Sequence, residues 1–175
     1  MTVVTQKAGA PVTPEGVLQQ ILCECHQKIQ PKEGDTCASL GEAKHECCDK
    51  AIQNHKAPPH IDGERGYASD GTRLSQSRAQ LKASGTSLKG TLWPDACSTD
   101  AAGNPTQFFD FKFVCPGGTQ FYDRKTGEVR FSRGKGNPGA DFYFPAGKSQ
   151  YDRYLALSEK LGMTQPPKPL TSQSC

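Results

Sequence analysis

No apolar run in this chain approaches the roughly 20 residues that a helix needs to cross a bilayer, so membrane insertion is not expected. The opening stretch, Met1 to Ala10, also lacks the apolar core of about 7–15 residues that marks a secretory signal. The expectation is a soluble protein that is not exported by a cleaved signal peptide. Residues 1–12 then form a flexible segment or linker, and Pro11-Val-Thr-Pro14 reads like the joint to a carrier or secretion-apparatus domain. Net charge is small too: +3 over 175 residues is too little to announce a nucleic-acid binder. Mean hydropathy is low, −0.65, and 18 Gly with 13 Pro require much of the chain to be turn or loop. Also missing are an internal repeat, the paired C-x2-C spacing of a standard zinc module, and any recognisable nucleophile motif around a cysteine.

Cysteine itself is plentiful. Of the 8 cysteines, Cys23, Cys25, Cys37, Cys47 and Cys48 crowd the first third, and Cys97, Cys115 and Cys175 lie beyond. Three states remain open: one or two disulfides, which belong to oxidising compartments; a structural zinc held by Cys23, Cys25, His26, Cys37, His45, Cys47 or Cys48; or buried free thiols. A protein that works outside the cell that made it would accommodate the disulfides.

The length suits one domain of ordinary size. Thr13-Pro-Glu-Gly opens a short helix to about Cys23, with Thr13 as cap and Pro14 in the first turn. A second helix runs from about Leu40 to His55, with Ala43, Cys47, Cys48, Ala51 and Ile52 at helical spacing, and Pro58-Pro59 stops it. Residues 56–90 are loop-rich, with a possible short helix at Ser75 to Lys82. A strand pair follows in Thr119 to Phe131, turning near Thr126-Gly127, and Gly134 to Gly139 is loop. A last helix spans about Lys148 to Leu161 and ends at Gly162. The expected domain is 13–162, with a Cys-rich helical part at 13–56 and a catalytic core at 40–162. Residues 163–175 form an extended tail.

The chemistry concentrates between Trp93 and Val114. In Phe109-Asp110-Phe111-Lys112-Phe113 polar and aromatic residues alternate, so a strand points Asp110 and Lys112 to one face and the phenylalanines to the other. The turn in Asp100 to Pro105 centres near Ala102 and Gly103. Symmetric pairing about that centre places Asp95 opposite Asp110, about 4.5–5.5 Å away; a bulge would shift this register. Two carboxylates at that separation repel unless a cation lies between them. A lysine beside a metal-bound water is suited to phosphodiester hydrolysis. The plain alternative is that Asp110 and Lys112 form the solvent face of an antiparallel strand. On the last helix Gln150 and Tyr154 are four residues apart on one face, although Tyr154 could equally be a core aromatic. Glu42 and Glu46 lie off the apolar stripe of the second helix. From Arg124 to Lys135 five basic residues (Arg124, Lys125, Arg130, Arg133 and Lys135) face one acid, Glu128. That run is either a solvated hairpin or a phosphate-facing loop.

An acid on an early helix, Pro94-Asp95, Asp110-Phe-Lys112 on the next strand, and a helix with Gln150-Tyr-Asp-Arg-Tyr154 together resemble the PD-(D/E)XK nuclease superfamily. The last piece is similar to the Q-x-x-x-Y motif of its RecB-like branch. The resemblance covers about residues 40–161 and implies an α/β fold with a restriction endonuclease-like core, a small mixed β-sheet flanked by helices. It implies that Asp95, Asp110 and Glu46, with Glu42 as the fallback, hold Mg²⁺ or Mn²⁺. Lys112 then acts on the attacking water or the phosphate, and Gln150 and Tyr154 orient the site. Arg124, Lys125, Arg130, Arg133, Lys135 and Arg153 are the expected nucleic-acid contacts. The chain also looks similar to toxin modules of interbacterial effectors, especially those delivered by type VI secretion. That likeness implies a DNase, secreted without a cleaved signal, acting in the cytoplasm of a target bacterium and neutralised by an immunity protein. Two other classes compete: a Cys–His amidase or peptidase using His45, His55 or His60, and a non-catalytic binding module braced by disulfides or zinc.

Overall fold

The structure, a computed structural model, describes residues 12–114, 119–123, 128–132, 142 and 147–175. Helix α1, Pro14–Lys28, starts where expected: the Thr13 side chain accepts from the Gly16 amide and Pro14 occupies the first turn. It continues past Cys23 because Leu18, Ile21, Leu22 and Cys25 keep one buried stripe at helical spacing. Helix α2, Cys37–Asn54, begins before Leu40, at a capping box between Thr36 and Ser39. Helix α3 is Arg78–Ala83, capped by Ser77. Helix α4 is Gln150–Lys160, capped by a reciprocal Ser149–Asp152 pair, and Gly162 beyond its end has the positive φ of 70° that a side chain would resist.

The architecture is mixed α/β; the described residues include these four helices and a four-stranded mixed sheet in the order β1-β2-β3-β6. Its strands are β1, Ile61–Asp62; β2, Ala96–Thr99; β3, Pro105–Lys112; and β6, Lys168–Thr171. The first three pair antiparallel, and β6 joins β3 in parallel. A parallel neighbour needs a long crossover, and α4 lies within it. A separate hairpin pairs β4, Thr119–Asp123, with β5, Glu128–Ser132; the expected turn at Thr126-Gly127 and the loop Gly134–Gly139 lie outside the described residues.

Both faces of the sheet are covered. On one, Ala96, Phe109, Phe111 and Leu170 pack with the buried stripe of α1 and with Cys48 and Ile52 of α2. On the other, Cys97 and Phe108 meet Tyr67 and Leu157 of α4. The phenylalanine alternation read from the sequence is therefore borne out, with Phe113 packed against the first cluster.

The tail is extended, as expected, and it is also an integral strand. Beyond β6 a short 3₁₀ turn, Ser172–Ser174, carries Cys175 back to α1 in a disulfide with Cys23. A second disulfide, Cys25–Cys47, joins α1 to α2. These bonds take three of the thiolates that a structural zinc would have needed. Cys48 and Cys97 are buried free thiols. None of the described helices is long and apolar enough to cross a membrane.

Candidate active site

The β2–β3 turn is built locally. The Asp100 side chain accepts from the Ala102 and Asn104 amides, each at 2.9 Å, and Gly103 takes a φ of 84°. Ala96 then lies opposite Phe109, Cys97 opposite Phe108 and Ser98 opposite Gln107. This register carries Asp95 to the level of Asp110. The one irregularity falls between Ser98 and Thr99, on the turn side of the site, so it leaves the pairing of the two acids intact.

Asp110 is 3% exposed, which removes the reading of a solvated strand face. A lone buried carboxylate would cost several kcal/mol, and three groups compensate it. Lys112 Nζ lies 2.5 Å from its Oδ2. Gln150 Nε2 donates to its Oδ1 at 2.8 Å, and the Tyr154 hydroxyl approaches the same oxygen at 3.4 Å. Gln150 also accepts from Lys112 through Oε1 at 2.8 Å. One amide thus holds both charged groups, and its orientation is set by the pair. Tyr154 donates to the Trp93 carbonyl at 3.1 Å, tying α4 to the segment before Asp95. Phe142 covers the cluster, with Lys112 Nζ 5.9 Å from its ring centre.

Asp95 is anchored by the Phe111 amide, which donates to Oδ2 at 2.7 Å, and by His45 Nδ1, 3.4 Å from Oδ1. Burial, and then the charge of Asp95, push the Asp110 carboxyl up to about 7 against the pull of Lys112 and His45. Burial works to lower the His45 imidazole, but its hydrogen bond to Asp95 and the charges of both acids leave it raised. Burial pushes the Tyr154 phenol well up, so it serves as a neutral donor.

These side chains line a cavity of about 460 Å³ that Glu42, Glu64, Arg78 and Arg153 also reach. Two carboxylates facing one cavity, the deeper one burdened by the other's charge, suit a hard ion such as Mg²⁺, which needs only one or two carboxylates and keeps several waters. The expected third ligand, Glu46, is not among the residues lining this cavity and borders an adjoining one with His45, Glu64 and Asp95. Glu46 is 68% exposed and pairs with Lys50 at 2.7 Å, because it lies on the side of α2 opposite the buried stripe Leu40, Lys44, Cys48 and Ile52. One residue of helix turns a side chain by about 100°, and His45 takes the place facing Asp95. Glu42 reaches the cavity. Among the described residues no three His, Cys, Asp or Glu side chains are arranged to hold a metal ion.

Of the expected nucleic-acid contacts, Arg153 is exposed and lines the cavity. Arg130 lies in β5, with its side chain outside the description. Arg124, Lys125, Arg133 and Lys135 lie outside the described residues. Sequence reasoning did not place Glu64 or Arg78 at the site, and it weighed His45 as a zinc ligand or a cysteine-enzyme histidine rather than as a partner of Asp95. The signal for His45 was its spacing of three from Glu42 on α2, which puts both on one side; Glu64 sits in loop-rich sequence that carried no periodic signal, and Arg78 opens α3, the expected short helix, whose face toward the site only the packing decides.

Comparison with protein families, with curated proteins and with solved structures finds no match to this chain.

Proposed function

We propose that this protein is a metal-dependent nuclease of the PD-(D/E)XK type, hydrolysing phosphodiester bonds in DNA. The observation that carries the reading is the buried Asp110 carboxylate, bridged to Lys112 through Gln150 and facing Asp95 across an open cavity. A chain that needed only a fold would gain more by filling this position with an apolar residue. The order of the pieces supports a restriction endonuclease-like core: α2, then Asp95 and Asp110-Phe-Lys112 on a hairpin, then Gln150 and Tyr154 on α4, all around one sheet. A bound Mg²⁺ or Mn²⁺ would be held by Asp95 and Asp110 and would supply an activated water and charge neutralisation at the phosphate. Lys112, held beside Asp110, offers its amino group to the phosphate oxygens as charge develops. Gln150 and Tyr154 hold Asp110 and Lys112 in place, and Arg78 and Arg153 supply cations for the flanking phosphates.

In the same proposal the protein is a toxin that acts in the cytoplasm of a neighbouring bacterium, and an immunity protein protects the producer by covering this cavity. The disulfides support a passage through an oxidising space. The cysteine-enzyme alternative loses ground, because burial pushes the free Cys48 thiol up to about 12 and the Cys97 thiol up to about 11, far from a reactive thiolate.

Plasmid DNA incubated with the protein tests the proposal. Degradation is expected with Mg²⁺, is stopped by EDTA, and falls by about 10²–10³-fold in Lys112→Ala and at least as far in Asp110→Ala. Cleavage persisting in either variant would sink the assignment. No cleavage of DNA or RNA with any divalent metal would favour the non-catalytic binding module.

A further inference from the structure

Trp93 is the chain's single tryptophan, and it stands two residues before Asp95 on the wall of the site cavity. Its ring is held on three sides. Tyr67 and Leu92 exchange backbone hydrogen bonds at 2.9 Å, which sets Gly66 directly across from Trp93. The six-membered ring lies over that glycine so closely that a Cβ there would come within 2.7 Å of three of its carbons. The indole N–H donates to Thr91 Oγ1 at 2.8 Å, and the Trp93 carbonyl accepts from Tyr154. The ring is therefore fixed, its polar edge is satisfied within the protein, and it remains partly exposed toward the cavity.

An aromatic ring needed only to cover a glycine belongs on a sheet surface; this one is fixed beside two carboxylates with Arg78 and Arg153 on the same cavity. With its N–H already used, the indole reads no base edge. What it offers is a flat apolar surface, to which any nucleobase can stack irrespective of sequence. A base inside a duplex has both faces occupied by its neighbours, so only an unpaired or extruded base can use the surface. We propose that Trp93 is a stacking platform for an unpaired nucleobase next to the scissile phosphate, and that it directs the enzyme to single-stranded or locally opened nucleic acid. This rests on the nuclease reading and names the substrate of that same site.

The sole tryptophan is its own probe. In EDTA, wild-type protein is titrated with short single-stranded oligothymidylate and with an abasic strand of equal length and charge; binding is followed by anisotropy and Trp93 by its emission. The titration is repeated with Asp110→Asn in Mg²⁺. The proposal requires quenched, shifted emission with the thymidylate strand and none with the abasic strand. It also requires about 5- to 150-fold weaker thymidylate binding in Trp93→Leu, largely restored in Trp93→Phe, with the abasic affinity unchanged. Equal affinity for the two strands, binding without a change in emission, or cleavage of duplex plasmid by a protein that binds neither strand would overturn the platform and leave the nuclease reading standing. Absence of both strand binding and plasmid cleavage would overturn both.

Discussion

Strand β3 serves two regions of opposite character. Toward α1 and α2 it contributes Phe109 and Phe111, which are 1% and 3% exposed and belong to the larger apolar cluster; each such ring contributes roughly 1.5–3 kcal/mol by leaving water. Toward α4 the same strand contributes Asp110, equally buried, whose charge costs stability and is offset by Lys112, Gln150 and Tyr154. The first side is braced by the Cys23–Cys175 and Cys25–Cys47 disulfides, with Lys44 against His26 as its buried charge, while the second holds the acid–lysine network and the cavity. Stability and chemistry are thus separated by the pleat of one strand, a spacing of a single residue.

The comparison breaks most severely at the apolar side. Phe109→Ala is expected to destabilise the protein by about 3–5 kcal/mol, read as a lower denaturation midpoint in urea, with cleavage per folded molecule largely retained. Replacing Cys23 and Cys175 together by serine opens a covalent loop spanning 152 residues and is expected to cost about 2–5 kcal/mol. Because that disulfide holds the edge strand β6, hydrogen exchange should quicken first at Lys168–Thr171.

On the charged side the signs differ. Asp110→Asn is expected to lower DNA cleavage by at least about 100-fold without a matching loss of stability. The pH dependence separates the effects. The Asp110 carboxyl is raised in the folded protein from 3.8 to about 7, so the folded state keeps a proton that the unfolded chain releases. Its favourable contribution is present below about pH 4 and is lost as the pH rises through about 7. In metal-free buffer, the asparagine variant should therefore gain on wild type between those values; thermal unfolding at pH 4, 5.5 and 7.5 measures it. A constant difference across that range would mean that Asp110 does not titrate as its surroundings imply. The smallest effect belongs to Glu46→Ala, expected to change stability by no more than about 0.5 kcal/mol and cleavage by less than about twofold, whereas a large loss of cleavage would restore Glu46 to the site.

Much of the hairpin was legible because its causes are local. Asp100 and Gly103 make the turn within a few residues, and the alternation of Asp110 and Lys112 with phenylalanine assigns faces before any neighbour is known. Thr13, Pro14 and Gly162 marked helix ends for the same reason. The Thr36 cap lay in the sequence too, hidden because Gly34 and Asp35 read as loop and the apolar stripe begins only at Leu40. The choice among Glu42, His45 and Glu46 was beyond reach, since consecutive helical positions differ by about 100° and the angle of α2 against the sheet is set by Cys48 and Ile52 packing on distant strands.

The sequence by itself determined the β2–β3 register and which side chains share its faces, because period-2 geometry and turn chemistry act over a few residues. Only the tertiary structure decided that α4 covers the Asp110 face, so that the acid is buried and paired; that the tail enters the sheet beside β3; and that Cys23 meets Cys175. Each of these joins residues far apart in the chain. Such contacts form only where burial across the whole domain outweighs the entropy of bringing distant segments together.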